Sequence, residues 1–321
     1  MIEYILFILG IFLLVKGADY LVDGSSSLAK KFKVPTLVIG LTIVAFGTSM
    51  PELVVNVFAS LKGSGDIAFG NIIGSNIANI LLILGITASL KSIKIQHSTT
   101  WKEIPFSFLA VIVLFVFAST MALDKLSLNY ILRFEGIIFL LFFAIFLCHV
   151  FELAKRNKSQ MKDDKIEIKK LSPIKIFLYI IGGLIALYFG GKWTVDGAVS
   201  LARLVGMNEY FISLTIVSVG TSLPELITSI TAALKGDPDM AIGNIVGSNI
   251  FNIFWILGVS ALIAPIAIPT FAIIDLTILL GATFLLFLFM FIGRKHELER
   301  HQGIIFILLY ICYVVYLLKR G

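Results

Sequence analysis

The sequence predicts an all-α polytopic membrane protein of ten transmembrane helices, arranged as two inverted five-helix repeats. Three observations carry this expectation. Of 321 residues, 58% are apolar and 14% are charged, with a mean hydropathy of +0.99, whereas ordinary soluble domains carry about 25% charged residues. The apolar residues fall into runs of roughly the ~20 residues that cross a bilayer as a helix. One half of the chain also repeats the other at a fixed offset.

Taken in order between charged or turn-like breaks, the predicted spans are 2–22, 36–61, 67–90, 103–122, 130–150, 173–196, 209–234, 240–263, 271–292 and 303–318. The first run begins Met-Ile-Glu, without a basic segment before it or a small-residue cleavage site after it. It is therefore expected to be a retained helix rather than a signal peptide. Cys148 and Cys312 are far apart in apolar stretches, which indicates neither a disulfide framework nor a zinc site. His97, His149, His296 and His301 flank the apolar runs, as helix-end or interfacial residues do.

The net charge of +6 is explained by topology rather than by nucleic acid. With the N-terminus outside, 18 of the 26 Lys and Arg residues fall on the cytoplasmic side, six fall outside, and Lys16 and Lys192 remain within spans. The positive-inside rule then places both termini outside. Residues 1–151 form the first repeat, 152–172 a basic cytoplasmic loop, and 173–321 the second repeat. The loop reads as a solvated topological determinant, with anionic-lipid binding as the alternative.

Adding 173 to a residue number in the first half gives its counterpart. From Thr42 to Gly85 against Thr215 to Gly258, 27 of 44 positions are identical. TIVAFGTSMPEL (Thr42 to Leu53) answers TIVSVGTSLPEL (Thr215 to Leu226), and GNIIGSNIANI (Gly70 to Ile80) answers GNIVGSNIFNI (Gly243 to Ile253). Five spans is an odd number, so the second half enters the membrane with opposite polarity. Inverted repeats that share a midplane site are a transporter architecture.

Glu52 and Glu225 fall near the middle of spans 2 and 7, with no Lys or Arg at similar depth in spans 2, 3, 7 or 8. A carboxylate there costs at least a few kcal/mol unless paired, protonated or bound to an ion. Two of them brought together would repel, so bound cations or protons must compensate; a permanently protonated structural pair is the alternative. Pro51 and Pro224 cannot donate to the carbonyls of Gly47 and Gly220, which leaves oxygens free beside each glutamate. Thr48, Ser49, Thr221 and Ser222 add further oxygens, and an all-oxygen shell suits a hard cation such as Ca2+. An ordinary proline kink re-satisfied by hydroxyls is the plainer reading. Gly70, Gly74 and Gly243, Gly247 have spacing suited to close helix packing. Ser75 with Asn79, and Ser248 with Asn252, lie four apart on one face. Asn71, Asn76, Asn244 and Asn249 suit ion contact or interhelical hydrogen bonding equally. Lys16, Asp19, Asp23, Lys192 and Asp196 read as interfacial or paired residues, with Lys192 and Asp196 an i,i+4 pair.

GTSMPEL with GNIIGSNIAN, and GTSLPEL with GNIVGSNIFN, closely resemble the two alpha-repeats of the cation/Ca2+ exchanger superfamily, in particular prokaryotic Na+/Ca2+ exchangers; the repeats correspond to about 40–85 and 213–258. The resemblance covers nearly the whole chain. It implies a secondary antiporter of the cell membrane that exchanges three Na+ for one Ca2+, and no enzyme activity or cofactor. It implies a Ca2+ site of Glu52 and Glu225 with backbone oxygens of Thr48 and Thr221. It implies Na+ sites drawing on Ala45, Thr48, Ser49 and Ser75 from one repeat and Ser218, Thr221, Ser222 and Ser248 from the other, with Asn79 and Asn252 at a central position. Spans 1 and 6 are implied to slide as a pair across the other eight. Many relatives, the K+-dependent exchangers among them, carry Asp where this chain has Asn252, so transport is expected not to need K+. The H+/Ca2+ branch has a different, Pro-free motif and fits poorly. The short loop lacks room for Ca2+-sensing domains. Besides the ions and the bilayer, no partner is expected, neither nucleic acid nor an obligate protein. An antiporter for another cation or one driven by H+, and a cation channel, are the alternative classes.

Overall fold

The computed structural model describes residues 2–63, 65–119, 130–156, 171–204, 218–269 and 272–320. Helix α1 (Ile2–Phe32) runs on for ten residues beyond the expected end, because neither Asp23 nor Lys30 breaks a helix. It stops at Lys33, whose φ of 55° leaves the helical region just before Pro35. The expected second span is two helices, α2 (Thr36–Thr48) and α3 (Met50–Leu61), meeting at 47°. Helix α4 follows as Gly65–Ile77, a π-helical stretch Ala78–Leu84, and Gly85–Leu90. Strand β1 (Ile93–Lys94) precedes α5 (His97–Ala118), which starts earlier than expected; residues 120–122 of that span lie outside the described residues. Strand β2 (Tyr130–Ile131) leads into α6 (Arg133–Arg156).

In the second half come α7 (Pro173–Leu204), α8 (Ser218–Thr221) and α9 (Leu223–Leu234). Helix α10 spans Pro238–Ile263 with a π-helical stretch at Phe251–Leu257. Strand β3 (Ile266–Ala267), α11 (Ala272–Phe289), β4 (Glu297–Leu298) and α12 (Arg300–Arg320) complete the order. The four short strands qualify the all-α expectation. They form two antiparallel pairs, β1 with β4 and β2 with β3, so each pair ties one half of the chain to the other.

Among the described residues, eight helices are long and apolar enough to cross a membrane, and the bent α2–α3 pair makes a ninth. Residues 209–217 of the expected seventh span, and 157–170 of the basic loop, lie outside the described residues. The protein is a multi-pass membrane protein, and its helices divide into centre and rim. The apolar stretches of α4 and α10 are 72% and 83% buried, against 22% for α12, so α4 and α10 form the middle of the bundle. Large side chains such as Ile8, Phe134, Phe177 and Ile304 face outward, where only lipid tails could cover them.

Helices α1 and α7 pack along their length, and their Leu14, Leu21, Ile180 and Leu187 join Ile39, Val44, Ala232 and Met240 of the neighbouring helices in a second hydrophobic cluster beside the main core. Their seam is built of glycine. Gly10, Gly17 and Gly24 on α1, and Gly183, Gly190 and Gly197 on α7, repeat every seven residues and are counterparts at the offset of 173. A Cβ on Gly17 would come within 2.9 Å of the Gly183 carbonyl oxygen, and one on Gly190 within 2.8 Å of the Leu14 nitrogen. Backbones this close maximise dispersion contact without side chains, which is how helices associate in lipid. At one end, Lys235 Nζ reaches from beyond α9 to Asp19 Oδ1 (3.1 Å) and Asp23 Oδ1 (2.9 Å) on α1. Nearby, Asp237 caps α10 at the Met240 nitrogen (3.1 Å) while accepting from Ser26 (3.1 Å) and Thr36 (2.7 Å).

The seam can be tested against a glycine that touches nothing. Gly17→Leu forces the α1 and α7 backbones apart and should lower the melting temperature of the detergent-solubilised protein, with a cost of about 1–3 kcal/mol or more. Gly182→Ala, where an added Cβ meets no atom within 4 Å, should leave it unchanged.

Candidate functional site

The sequence G-T-S-x-P-E-L makes the same local structure twice. Proline removes one backbone donor and clashes with the preceding turn, and the chain answers by stopping one helix and starting another. Ser49 (φ −83°, ψ 9°) and Ser222 (φ −89°, ψ 8°) are the hinge residues, with Pro51 and Pro224 in the first turn of α3 and α9. The span expected over 36–61, with its ladder opened at Pro51, is thus two separate helices rather than one kinked helix. The consequence is electrostatic: Glu52 and Glu225 each lie in the first turn of a new helix, where the unpaired N–H groups favour negative charge. Gly47 and Gly220 allow the approach of α7, because a Cβ at either would collide with Leu184 or Val195.

Both carboxylates are buried to 1% exposure. Ser49 Oγ donates to Glu225 Oε1 (2.9 Å) and Ser222 Oγ donates to Glu52 Oε1 (3.3 Å), so each half holds the other's glutamate. The Thr221 side chain also interacts with Glu52, and that of Thr48 with Glu225. Asn244 fastens the arrangement from α10. Its Oδ1 accepts from Thr48 (3.1 Å), and its Nδ2 donates to Ser229 Oγ (3.0 Å) and, at 3.4 Å, to the Glu225 carbonyl.

Asn79 and Asn252 lie in the π-helical stretches of α4 and α10, which pack on α9 and α3 respectively. Their amide groups are tied reciprocally across the halves. Asn79 Nδ2 donates to Asn249 Oδ1 (2.9 Å), and Asn252 Nδ2 donates to Asn76 Oδ1 (3.1 Å). Of the four asparagines left open by sequence reasoning, Asn76 and Asn249 therefore make interhelical hydrogen bonds, and Asn244 positions Thr48 and Glu225. Nothing in the sequence separated Asn244 from its counterpart Asn71.

Three pairs among the partnerless buried atoms follow the same symmetry. Glu52 and Glu225 Oε2, Ser75 and Ser248 Oγ, and Asn79 and Asn252 Oδ1 are all buried without a hydrogen-bond partner. Each such group costs about 1–3 kcal/mol if nothing satisfies it. All six are oxygens and two are on carboxylates, the donor type that a desolvated hard cation takes. Ala45 is also fully buried, and Thr221 is half-buried. Ser218 opens α8, and its side chain lies outside the described residues. Lys16, Asp19 and Asp23 are taken into the ion pairs at the end of α1. The expected Lys192–Asp196 pair is absent: among the described residues, Lys192 has no carboxylate within 4 Å. Both side chains instead line a cleft beside the breaks. At helix ends, His149 pairs with Glu103 (2.7 Å) and His296 meets Thr100 (3.0 Å).

A helical bundle that spans the membrane and buries paired carboxylates among unsatisfied oxygens defines an ion-transport protein, not an enzyme. The chain belongs to the sodium/calcium exchanger family: the family's profile, described as sodium/calcium exchanger protein, matches residues 2–152 and 175–319. It is 37% identical to a putative antiporter, CaxA, of Alkalimonas amylolytica, over 98% of each chain. It is 32% identical to the sodium/calcium exchanger MaX1 of Methanosarcina acetivorans, again over 98% of each. Among solved structures, the sodium-calcium exchanger NCX_Mj soaked with 10 mM Na+ and zero Ca2+ matches with a TM-score of 0.82 and 32% identity, covering 98% of both chains.

The site makes a stability signature. Because each glutamate is buried and half-satisfied, Glu225→Gln should leave the melting temperature of the cation-free protein the same or higher. It should also abolish the upward shift that millimolar Ca2+ gives the wild type, read by fluorescence during a thermal ramp. A variant that still responds to Ca2+ would remove Glu225 from the shell.

Proposed function

We propose that this protein is a secondary antiporter exchanging three Na+ for one Ca2+, electrogenic and independent of K+. Cations bind at mid-membrane between two inverted repeats of five helices, residues 1–151 and 173–321. Both termini lie outside the cell membrane, and the basic loop 152–172 lies in the cytoplasm. The single observation that carries this reading is the set of six partnerless buried oxygens, paired across the halves around Glu52 and Glu225.

In this reading Ca2+ takes the two glutamates together with carbonyl oxygens of Thr48 and Thr221, which cancels their charge. Na+ ions take neutral oxygens around the same centre, from Ala45, Thr48, Ser49 and Ser75 and from Ser218, Thr221, Ser222 and Ser248. Asn79 and Asn252 serve the central position. Ser49 and Ser222 hold one oxygen of each carboxylate, leaving the other for a cation. Ca2+ and Na+ thus compete for one charge deficit, and their competition couples the two fluxes. Alternating access follows from motion of α1 and α7 as one body, since their seam is far more extensive than the contacts of either with any other element. The relative MaX1 is named a sodium/calcium exchanger, and NCX_Mj structures were soaked with Na+, Ca2+ and Sr2+, which supports this choice of ions. With an amide at Asn252, engaged by Asn76, the chamber has no third carboxylate to hold a further cation.

Proteoliposomes loaded with Na+ should take up Ca2+ when diluted into Na+-free buffer, with or without K+, and should carry about one net charge per cycle, three Na+ against one Ca2+. Glu52→Gln and Glu225→Gln should each abolish uptake. Uptake that persists in either variant would reject the site, uptake that needs K+ would reject the role given to Asn252, and conductance without a counter-ion would make the protein a channel. Replacing Ca2+ by Mg2+ or Mn2+, or the Na+ gradient by a pH gradient, separates the other antiport readings.

A further inference from the structure

The two glutamates have a neighbour that pseudo-symmetry does not supply. A cleft of about 170 Å³ lies between α7 and the two helix breaks, lined by Lys192 and Asp196 on one side and by Pro51, Thr221 and Pro224 on the other. Pro51 and Pro224 immediately precede Glu52 and Glu225. Helix α7 comes close here: a Cβ on Gly191 would touch Pro224 Cγ at 3.6 Å. Lys192 therefore brings an ammonium, on a stem of four methylenes, into a cleft walled by Thr221 and by the two prolines that precede the glutamates, with the Asp196 carboxylate in the same lining. No carboxylate lies within 4 Å of it among the described residues. Its counterpart in α1 is Asp19, which is occupied by Lys235 at 3.1 Å and lies 4.0 Å from Lys16. At this one position the α1 side has a paired acid where the α7 side has a base, while the next charged position is acidic in both halves, Asp23 on α1 and Asp196 on α7.

We propose that Lys192 is a tethered counter-charge for the cation chamber, a positioning residue that sets affinity without joining the shell. This rests on the cation-binding reading given above. With the chamber empty, the ammonium offsets part of the glutamates' charge across the cleft. An arriving cation must displace that field, so its net binding is weaker than the carboxylates alone would give. A transported ion has to leave as readily as it enters, and a charge of the same sign at the mouth prevents the site from becoming a trap. The competing role is a lysine that only snorkels to the interface and leaves the chamber's field unchanged.

The test measures Ca2+ half-saturation of exchange in proteoliposomes, with the melting temperature as a check on folding. Lys192→Met should lower the half-saturation concentration roughly three- to tenfold, the effect of removing one like charge that acts through a partly hydrated path. Lys192→Arg, which keeps the charge, should match the wild type. A Lys192→Met protein that folds and binds Ca2+ as the wild type does, or a Lys192→Arg protein that behaves like Lys192→Met, overturns the proposal. If Lys192→Met does not fold, Lys192→Gln gives the same reading. Wild-type protein that does not exchange Ca2+ for Na+ would instead count against the functional reading itself.

Discussion

Two carboxylates inside a low-dielectric bundle are the constraint on which the rest of this structure depends. Separately each would be expensive, and together they repel, so the surroundings are arranged to make the pair tolerable without removing its charge. Each helix is broken so that a fresh N-terminus faces its glutamate. One oxygen of each carboxylate is held by a serine from the opposite half, and Asn244 keeps Thr48 and Glu225 in register. A second oxygen on each is left unmet. The pair is therefore held in place while its charge stays open to compensation from outside.

The remaining architecture separates what must stay rigid from what must move. Helices α4 and α10, the most buried, carry the asparagine and serine rows and join the halves through two reciprocal amide bonds. Helices α1 and α7 meet along glycine at nearly backbone contact, and they touch the site through few side chains, Leu184 and Val195 among them. The polar ties of α1 to the bundle concentrate at one end, around Lys235 and Asp237. Ion pairs such as those of Lys235 are individually weak when partly exposed.

Much of this could be read in the sequence, because membrane burial leaves few polar residues and each of those must be accounted for. Glu52, Glu225 and the serines and asparagines around them stood out against apolar runs, and the offset of 173 paired them. The glycine seam was missed because one glycine in seven within an apolar helix disturbs no periodicity, and only its partner across the bundle gives it meaning. The opened ladder at each proline is legible in the sequence, but proline alone does not say whether the chain bends or restarts, and here it restarts. Lys192 was assigned to Asp196 by helical spacing, whereas the cleft on α7 that draws both side chains toward the breaks exists only in three dimensions. The two-residue strands are too short to show a pattern of their own.

The reciprocal contacts have a meaning beyond ion chemistry. Ser49 meets Glu225 and Ser222 meets Glu52; Asn79 meets Asn249 and Asn252 meets Asn76; Gly10 meets Gly190, the counterpart of Gly17, and Gly17 meets Gly183, the counterpart of Gly10. A surface in which i touches j while j touches i is the isologous interface of a two-fold homodimer. The chain is thus packed as two identical subunits would be, with their self-complementary face sealed inside one polypeptide. Once the copies were joined, they were free to diverge at single positions, and Lys192 opposite Asp19 is one such divergence. Within one polypeptide, each half of such a symmetric interface is free to differ from the other position by position.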